Sequence, residues 1–242
     1  MGVSEEARRA EIAANWAVVQ RRIAAACAVV DRSPEELTVV AVTKTFPATD
    51  VGHLAALDLH DVGENRHQDA APKVAACAAA GITGLRWHFV GQVQTNKAAA
   101  VSEYADVVHA VDRVRLVEAL DRGAEEHGRV VTALVQVRLD VDPDGDPGRG
   151  GATPADVPDV AAAIDAAGSL VLGGLMAVAP LGGDPREAFA RLALLAIELR
   201  TSYPEAVIVS AGMSADLEAA VEHGATHLRV GTALLGSRPP LG

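Results

Sequence analysis

Aromatic residues and cysteines are both scarce in this chain of 242 residues, at 3% of the sequence and two residues respectively. A core with few aromatic rings must be built from Ala, Val and Leu, which the 50% hydrophobic content allows. Cys27 and Cys77 lie in alanine-rich helical segments, and neither forms a Cys-x-x-Cys pair or has a histidine at metal-binding spacing. We therefore expect both to be small core residues of a protein in a reducing compartment.

Clusters of positive charge and long apolar runs are also missing. The net charge is −11, which argues against nucleic acid and anionic membranes as partners, because both need a positively charged face. No segment approaches the ~20 apolar residues that span a bilayer. The charged N-terminus begins an amphipathic helix and has no apolar signal core. The sequence predicts a soluble, cytoplasmic protein, and its net charge still leaves room for a local cationic pocket that holds a small phosphate.

Apolar, β-rich segments alternate with alanine-rich helical segments along the whole chain. A leading helix is predicted over residues 5–30, and strands are predicted near 37–44, 60–64, 86–91, 106–111, 130–139, 170–178, 206–211 and 227–231. This alternation predicts parallel strands joined by right-handed crossovers. Eight units without a linker favour an α/β fold with a single (β/α)8 barrel of the TIM type over residues 1–242, with an extra N-terminal helix, rather than an open doubly wound sheet.

Lys44 is the most informative polar residue, at the end of the first predicted strand. Its segment is otherwise mostly apolar and β-branched, and desolvation there disfavours the charged form of an amine. A neutral amine attacks aldehydes, so Lys44 suits a Schiff base. On this segment alone, an ammonium group that extends into water is the commoner outcome. The C-terminal part of the chain favours the first interpretation.

Two segments near the C-terminus are predicted to hold an anion. One runs from Ser210 to Ser214, where a helix is expected to begin, and the other contains Gly231 and Thr232. Each segment alone is also compatible with an ordinary turn. Barrels, however, often bind phosphate after strands seven and eight. Arg229 lies in an otherwise apolar strand beside them, where it needs a carboxylate or another acceptor, such as the ring nitrogen of a bound heterocycle.

Pyridoxal 5′-phosphate (PLP) combines the three features that these residues require. It has an aldehyde for Lys44, a phosphate for the two C-terminal segments and a pyridine nitrogen between them. An arginine that faces this nitrogen keeps it unprotonated, because a guanidinium cannot accept a proton and opposes a second positive charge. The cofactor is then a weaker electron sink than one with a carboxylate partner.

The chain resembles the pyridoxal phosphate homeostasis proteins, the YggS/PROSC family. The matching segments follow the family order over nearly the whole chain: Ala-Val-Thr-Lys-Thr (41–45), Gly-Glu-Asn (63–65), Trp-His-Phe-Val-Gly-Gln-Val-Gln-Thr-Asn-Lys (87–97), Gly-Leu-Met-Ala (174–177), Gly-Met-Ser (212–214) and Arg-Val-Gly-Thr-Ala (229–233). The resemblance implies a barrel like the N-terminal domain of alanine racemase, with Lys44 as the aldimine lysine and Arg229 at the pyridine nitrogen. It further implies the remaining cofactor contacts: Ser210, Ser214, Gly231 and Thr232 around the phosphate, and Asn65 and Met176 along the ring.

The function implied by this resemblance is storage or delivery of PLP, which supports vitamin B6 and amino-acid homeostasis without a defined catalytic turnover. PLP-dependent apoenzymes are then expected as recipients, and the protein is expected to be a monomer. Two alternatives remain open: a PLP-dependent amino-acid racemase and a barrel enzyme that acts on a phosphorylated metabolite. Racemisation needs a second base, and the only tyrosines, Tyr104 and Tyr203, are predicted far from the mouth of the barrel.

The chain departs from the family pattern at a few positions near the expected site. Arg66 and His67 follow Gly-Glu-Asn, where the family usually has an aromatic residue first. Gln92 stands where a proline is common, and Ala211 stands where a methionine is common. These departures affect the expected lining of the ring, whereas the lysine, arginine and phosphate positions are intact.

The remaining polar residues have less specific interpretations. A packed, hydrogen-bonded His88 is as well supported as one at the mouth, whereas His109 and Asp112 are expected to face solvent at a strand end. Gln94, Asn96 and Lys97 are as well suited to contacting the ligand as to capping the short helix that follows. Asp140 begins a segment like a calcium loop, but its twelfth position, residue 151, is Gly instead of Glu, so metal binding is rejected. The segment 140–151 is predicted to be a mobile loop over the mouth.

Overall fold

Eight parallel strands close into one barrel in the computed structural model, which describes residues 4–140 and 150–237. Each strand pairs with the next along the chain, and β8 pairs with β1 to complete the ring. The strands are β1 Thr38–Val42, β2 Asp61–Glu64, β3 Arg86–Phe89, β4 Val107–Val111, β5 Val131–Val137, β6 Leu170–Ala177, β7 Ile208–Ser210 and β8 His227–Val230. The predicted barrel is confirmed, although the predicted strands are somewhat too long at their ends.

Helices surround the barrel and connect its strands. They are α1 Glu5–Val29, α2 Ala48–Ala55, α3 His67–Ala79, α4 Ala98–Ser102, α5 Val114–Glu126, α6 Val157–Asp165, α7 Pro185–Ser202, α8 Leu217–Glu222 and α9 Thr232–Leu235. The predicted leading helix is α1, whose first turn is capped by the Ser4 side chain. The helix expected to begin near Ser214 begins instead at Leu217, so Ser214 lies in the preceding turn.

The apolar core lies mainly between the outer surface of the barrel and the helices. Valine and leucine of the strands pack there against alanine-rich helix faces, and both cysteines are buried and unpaired in this layer, as predicted. A smaller apolar cluster is formed by Val107, Ala110, Leu134 and Met176 on neighbouring strands. Buried polar groups accompany the strands as well, and they build the candidate site.

Two expectations concern features outside this core. Within residues 4–140 and 150–237, no helix combines the length and apolarity needed to cross a membrane, and no group of side chains has the composition of a metal site. The loop predicted over the mouth lies mostly outside the described residues, so its predicted role is not addressed by the structure.

Candidate functional site

Lys44 lies in the turn that follows β1 at the carboxyl end of the barrel. The strand ends at Val42, two residues earlier than predicted, and the Lys44 side chain is half-buried. The next residue, Thr45, has a φ of 72°, a left-handed conformation that a β-branched residue adopts only when its surroundings enforce it. The backbone of this turn is therefore held in an unusual shape directly beside the lysine.

A buried polar cluster anchors the backbone immediately before Lys44. Glu64, at the end of β2, pairs with Lys73 of α3 and accepts a hydrogen bond of 2.6 Å from the Thr43 hydroxyl. Lys73 Nζ also donates to the Thr43 carbonyl oxygen at 2.7 Å. Removing one partner of a buried pair like this typically costs about 3–5 kcal/mol. The cluster thus ties the lysine turn to β2 and to α3.

The sequence reasoning missed Lys73, although a signal was present. Lys73 lies three residues after Ala70 and four before Cys77, and these are the buried positions of α3. A lysine at the apolar spacing of a helix needs a buried partner. The chain has three lysines in all, and Lys73 is held in the buried cluster, so a test of an aldehyde contact must distinguish Lys44 from Lys97.

Arg229 is buried in β8, with 5% of its surface exposed. Its guanidinium donates to Ser210 Oγ at 2.6 Å and to the Ala177 carbonyl oxygen at 2.8 Å. No carboxylate in the described part of the chain forms an ion pair with it. Burial lowers the pKa of Arg229 to about 10, which still leaves it charged at neutral pH. The group is therefore a cation of fixed orientation, held by two neutral acceptors.

A chain of hydrogen bonds leads from Arg229 through the barrel to its opposite end. Ser210 Oγ lies 2.9 Å from His109 Nδ1, and His109 Nε2 lies 2.9 Å from His88 Nδ1. His88 Nε2 in turn lies 2.8 Å from the carboxylate of Asp61, the first residue of β2. Four side chains on β7, β4, β3 and β2 thus connect the arginine to an acidic group at the amino end of the barrel.

The two ends of this hydrogen-bond chain determine its direction. The Asp61 carboxylate only accepts and the Arg229 guanidinium only donates. Burial lowers the pKa of His88 and lowers that of His109 well below its usual value, so both rings are neutral at pH 7. Each neutral ring has one donor and one acceptor, so both must carry their proton on Nε2. The Ser210 hydroxyl must then donate its only hydrogen to His109.

Two sequence interpretations change with this geometry. The expectation that His109 faces solvent is wrong, because His109 is completely buried and bonded on both ring nitrogens. Of the two interpretations of His88, the packed, hydrogen-bonded one is confirmed, because His88 is buried and bonded on both ring nitrogens. The phosphate contact predicted for Ser210 stays a prediction, but its hydroxyl hydrogen is already used inside the barrel. In the structure, Ser210 accepts a hydrogen bond from Arg229 and so orients its guanidinium.

The two predicted anion-binding segments lie side by side. Ser214 Oγ accepts a hydrogen bond of 3.1 Å from the N–H of Ala233, in the first turn of α9. The carbonyl oxygen of Gly212 accepts a hydrogen bond of 2.9 Å from the backbone N–H of Arg229. The φ of Gly212 is 85°, a left-handed conformation that favours glycine. The Thr232 hydroxyl has no hydrogen-bond partner among the described residues. Hydroxyls at the start of a short helix are typical of a barrel phosphate site.

Helix α1 supports this pair of segments from outside the barrel. Arg22 donates to the Ser214 carbonyl oxygen at 2.9 Å and forms a two-pronged ion pair with Glu218 of α8, at 2.7 and 2.8 Å. Asn15 donates to the Leu234 carbonyl oxygen in α9 at 3.1 Å. The extra N-terminal helix therefore holds the turns after β7 and β8 in place, which the sequence pattern did not indicate.

The two residues predicted to line a ring lie on different sides of the barrel. Met176 is buried on β6 and pairs in register with Ser210 on β7. Asn65 follows β2 directly and lines a polar cavity of about 250 Å³ at the mouth. The ring of His67, which lines this cavity, stacks on the ring of Tyr104 with 5.9 Å between centroids.

Comparisons with known proteins agree with the sequence motifs. The alanine racemase N-terminal domain family matches residues 8–239. The pyridoxal phosphate homeostasis protein of Mycobacterium tuberculosis (strain ATCC 25618 / H37Rv) is 42% identical over 245 residues, covering 96% of this chain and 94% of that protein. The protein of the same description from Escherichia coli K12 is 36% identical over 231 residues, with 94% and 97% covered. The structure of PipY from Synechococcus elongatus PCC7942 with PLP bound matches with a TM-score of 0.76 and 34% identity, covering 90% of this chain and 100% of PipY.

Proposed function

Because this chain belongs to the alanine racemase N-terminal domain family, and within it to the pyridoxal phosphate homeostasis proteins, we propose that it binds PLP reversibly at the mouth of its barrel. When bound, PLP supplies an aldehyde carbon that the Lys44 amine can attack. The protein would store and release the cofactor, and so support the balance of vitamin B6 and of amino acids, with no turnover of its own.

The observation that carries this proposal is the order of the strands around the barrel. Because β7 pairs with β8 and β8 pairs with β1, Ser214, Arg229 and Lys44 lie on three consecutive strands or on the turns directly after them. Hydroxyl and N–H donors for a phosphate, a fixed guanidinium and an amine therefore share one sector of the mouth. This donor set fits the phosphate, the ring nitrogen and the aldehyde of one PLP molecule.

The residues of the site favour holding the cofactor over activating it. Arg229 can donate a hydrogen bond to a pyridine nitrogen but cannot give it a full proton without losing its own charge, and its pKa of about 10 keeps that charge at pH 7. Ser210 and the Ala177 carbonyl fix the orientation of the guanidinium. The ring then stays a weak electron sink, which suits storage.

The lysine assignment can be tested by absorbance spectroscopy with a matched control. We expect wild-type protein incubated with PLP to show a visible band that borohydride bleaches, leaving a stable adduct on Lys44 in a peptide mass map. Lys44→Ala should lose the band, whereas Lys97→Ala, which removes the other lysine at the mouth, should keep it. A colourless wild-type protein, or a band lost from Lys97→Ala and kept in Lys44→Ala, would overturn the proposal.

The racemase alternative is separated by a second assay. The Tyr104 ring stacks on His67 of the cavity at the mouth, but its hydroxyl is buried and burial raises its pKa far above the usual value, which makes it a poor proton acceptor. We therefore expect no conversion of L-alanine to the D-form by PLP-loaded protein. Turnover at the rate of an ordinary enzyme, about 1–10³ s⁻¹, would favour the racemase.

A further inference from the structure

A polar cavity of about 250 Å³ opens beside the proposed cofactor site, between the turns that follow β2 and β3. Its walls are formed mainly by Arg66, His67, Gln94 and Lys97, and buried Phe89 contributes an apolar part. Of the residues proposed to contact the cofactor, Asn65 alone is among its walls. The cavity therefore adjoins the cofactor site and shares one residue with it.

The two turns that form the cavity are packed against each other by a glycine. A Cβ atom at Gly91 would lie 2.2 Å from the Asn65 carbonyl oxygen, so no other residue fits without moving the backbone. The cavity therefore does not depend on a loose surface loop, and its shape follows from close backbone contact between the ends of two neighbouring strands.

The cavity carries unpaired positive charge in a chain whose net charge is −11. In the part of the chain that the structure describes, neither Arg66 nor Lys97 forms an ion pair, and no carboxylate lines the cavity. His67 Nδ1 is buried there without a hydrogen-bond partner. Arg66 and His67 also begin helix α3, whose first N–H groups favour a negative charge. Arg66 and Lys97 are exposed, so water can solvate them, but their charges and the helix N-terminus together make the cavity favourable for an anion.

We propose that this cavity binds the carboxylate of a small organic acid. Arg66 can bind a carboxylate through two parallel hydrogen bonds, and Lys97 supplies a second positive charge. The amides of Gln92 and Gln94 can donate to the remaining oxygen lone pairs, while Phe89 covers the carbon skeleton. This apolar wall favours an organic acid over inorganic phosphate, which has no carbon to bury. The inference does not depend on the covalent role of Lys44.

Calorimetric titration of the protein without PLP tests the assignment, with succinate and inorganic phosphate as separate probes at low ionic strength. We expect wild type to bind succinate more tightly than phosphate, and the double variant Arg66→Gln, Lys97→Gln to bind succinate at least about tenfold more weakly. The control variant Arg9→Gln, Arg115→Gln changes the net charge equally at two exposed helix positions and should stay within about twofold of wild type.

Three results would overturn the assignment: no binding of succinate by wild type, an equal loss in the control variant, or phosphate bound more tightly than succinate. Thermal unfolding of each variant checks that it is folded. The visible band with PLP is measured in parallel. If wild type binds succinate but lacks the band, the cofactor proposal fails and the carboxylate site stands. If the band is present and succinate does not bind, only the carboxylate site fails.

Discussion

Two serines four residues apart in the same segment have different tasks at the residue scale. Ser210 faces the barrel interior, where its hydroxyl donates to His109 and accepts from Arg229. Ser214 lies in the turn beyond β7, where its oxygen accepts from the Ala233 N–H and its own hydrogen remains available for a ligand. The family resemblance places both serines around a phosphate, and for each of them that contact stays a prediction.

A pair of matched substitutions separates these tasks. Ser214→Ala should weaken PLP binding about tenfold, because a hydrogen bond to a charged phosphate is lost. Ser210→Ala should leave the affinity for inorganic phosphate within about twofold of wild type and shift the visible absorbance of bound PLP, because Arg229 loses its fixed orientation. The measurements are equilibrium binding and absorbance. Equal losses of phosphate affinity in both variants would show that Ser210 contacts the phosphate directly.

Helix α1 contributes at the scale of the element, since it connects to both turns of the proposed phosphate site. Its Arg22 reaches the backbone of Ser214 and the side chain of Glu218. Because both side chains are partly exposed, the ion pair itself contributes little, and most of the effect comes from the hydrogen bond to the Ser214 carbonyl oxygen. The extra helix thus acts as a brace for the site as well as a cover for the barrel.

The brace can be tested with a neighbouring control. Arg22→Ala should lower the free energy of unfolding by about 1 kcal/mol and weaken PLP binding severalfold, because the Ser214 turn loses its support. Arg21→Ala, an exposed position on the same helix, should change neither quantity. Urea unfolding and PLP titration provide the measurements. Unchanged PLP affinity in folded Arg22→Ala would show that the turn does not need this contact.

The whole molecule contains three buried histidines within its barrel, and these make its stability depend on pH. Burial, and to a smaller extent the nearby His88, lower the pKa of His227 to about 4. The pKa values of His88 and His109 are also lowered, mainly by burial. In the unfolded chain these groups take up protons near pH 6.5. Between pH 6.5 and 4 the unfolded state therefore binds more protons, and stability falls as the pH falls.

We expect His227 alone to account for a loss of about 3 kcal/mol of unfolding free energy between pH 6.5 and pH 4. Urea unfolding at several pH values in this window measures the slope. His227→Gln, which cannot titrate, should flatten the slope relative to wild type, whereas His127→Gln, at the exposed end of α5, should not. Parallel slopes for wild type and His227→Gln would contradict a neutral His227 in the folded state.

The sequence by itself determined the alternation of strands and helices, and with it the barrel, because hydrophobic periodicity is a local property of the chain. It also singled out Lys44, Arg229 and the two segments predicted to bind an anion, since a cation in an apolar strand and glycines after a strand are visible in a few residues. The family motifs then indicated the cofactor class. The contacts assigned to individual side chains stay predictions that the experiments above address.

Only the tertiary structure decided which polar residues meet. The His109–Ser210 bond joins residues 101 positions apart, and Lys73 reaches Thr43 across 30 positions. The His109–Ser210 pairing leaves no pattern in either local segment, so His109 was expected to face solvent. The helical spacing of Lys73 indicates a buried partner, but it does not indicate which residue that partner is. The walls of the cationic cavity likewise come from two turns, after β2 and β3, which pack closely at Gly91. Closure of the sheet brings distant side chains to the same position, and that geometry cannot be obtained from local periodicity.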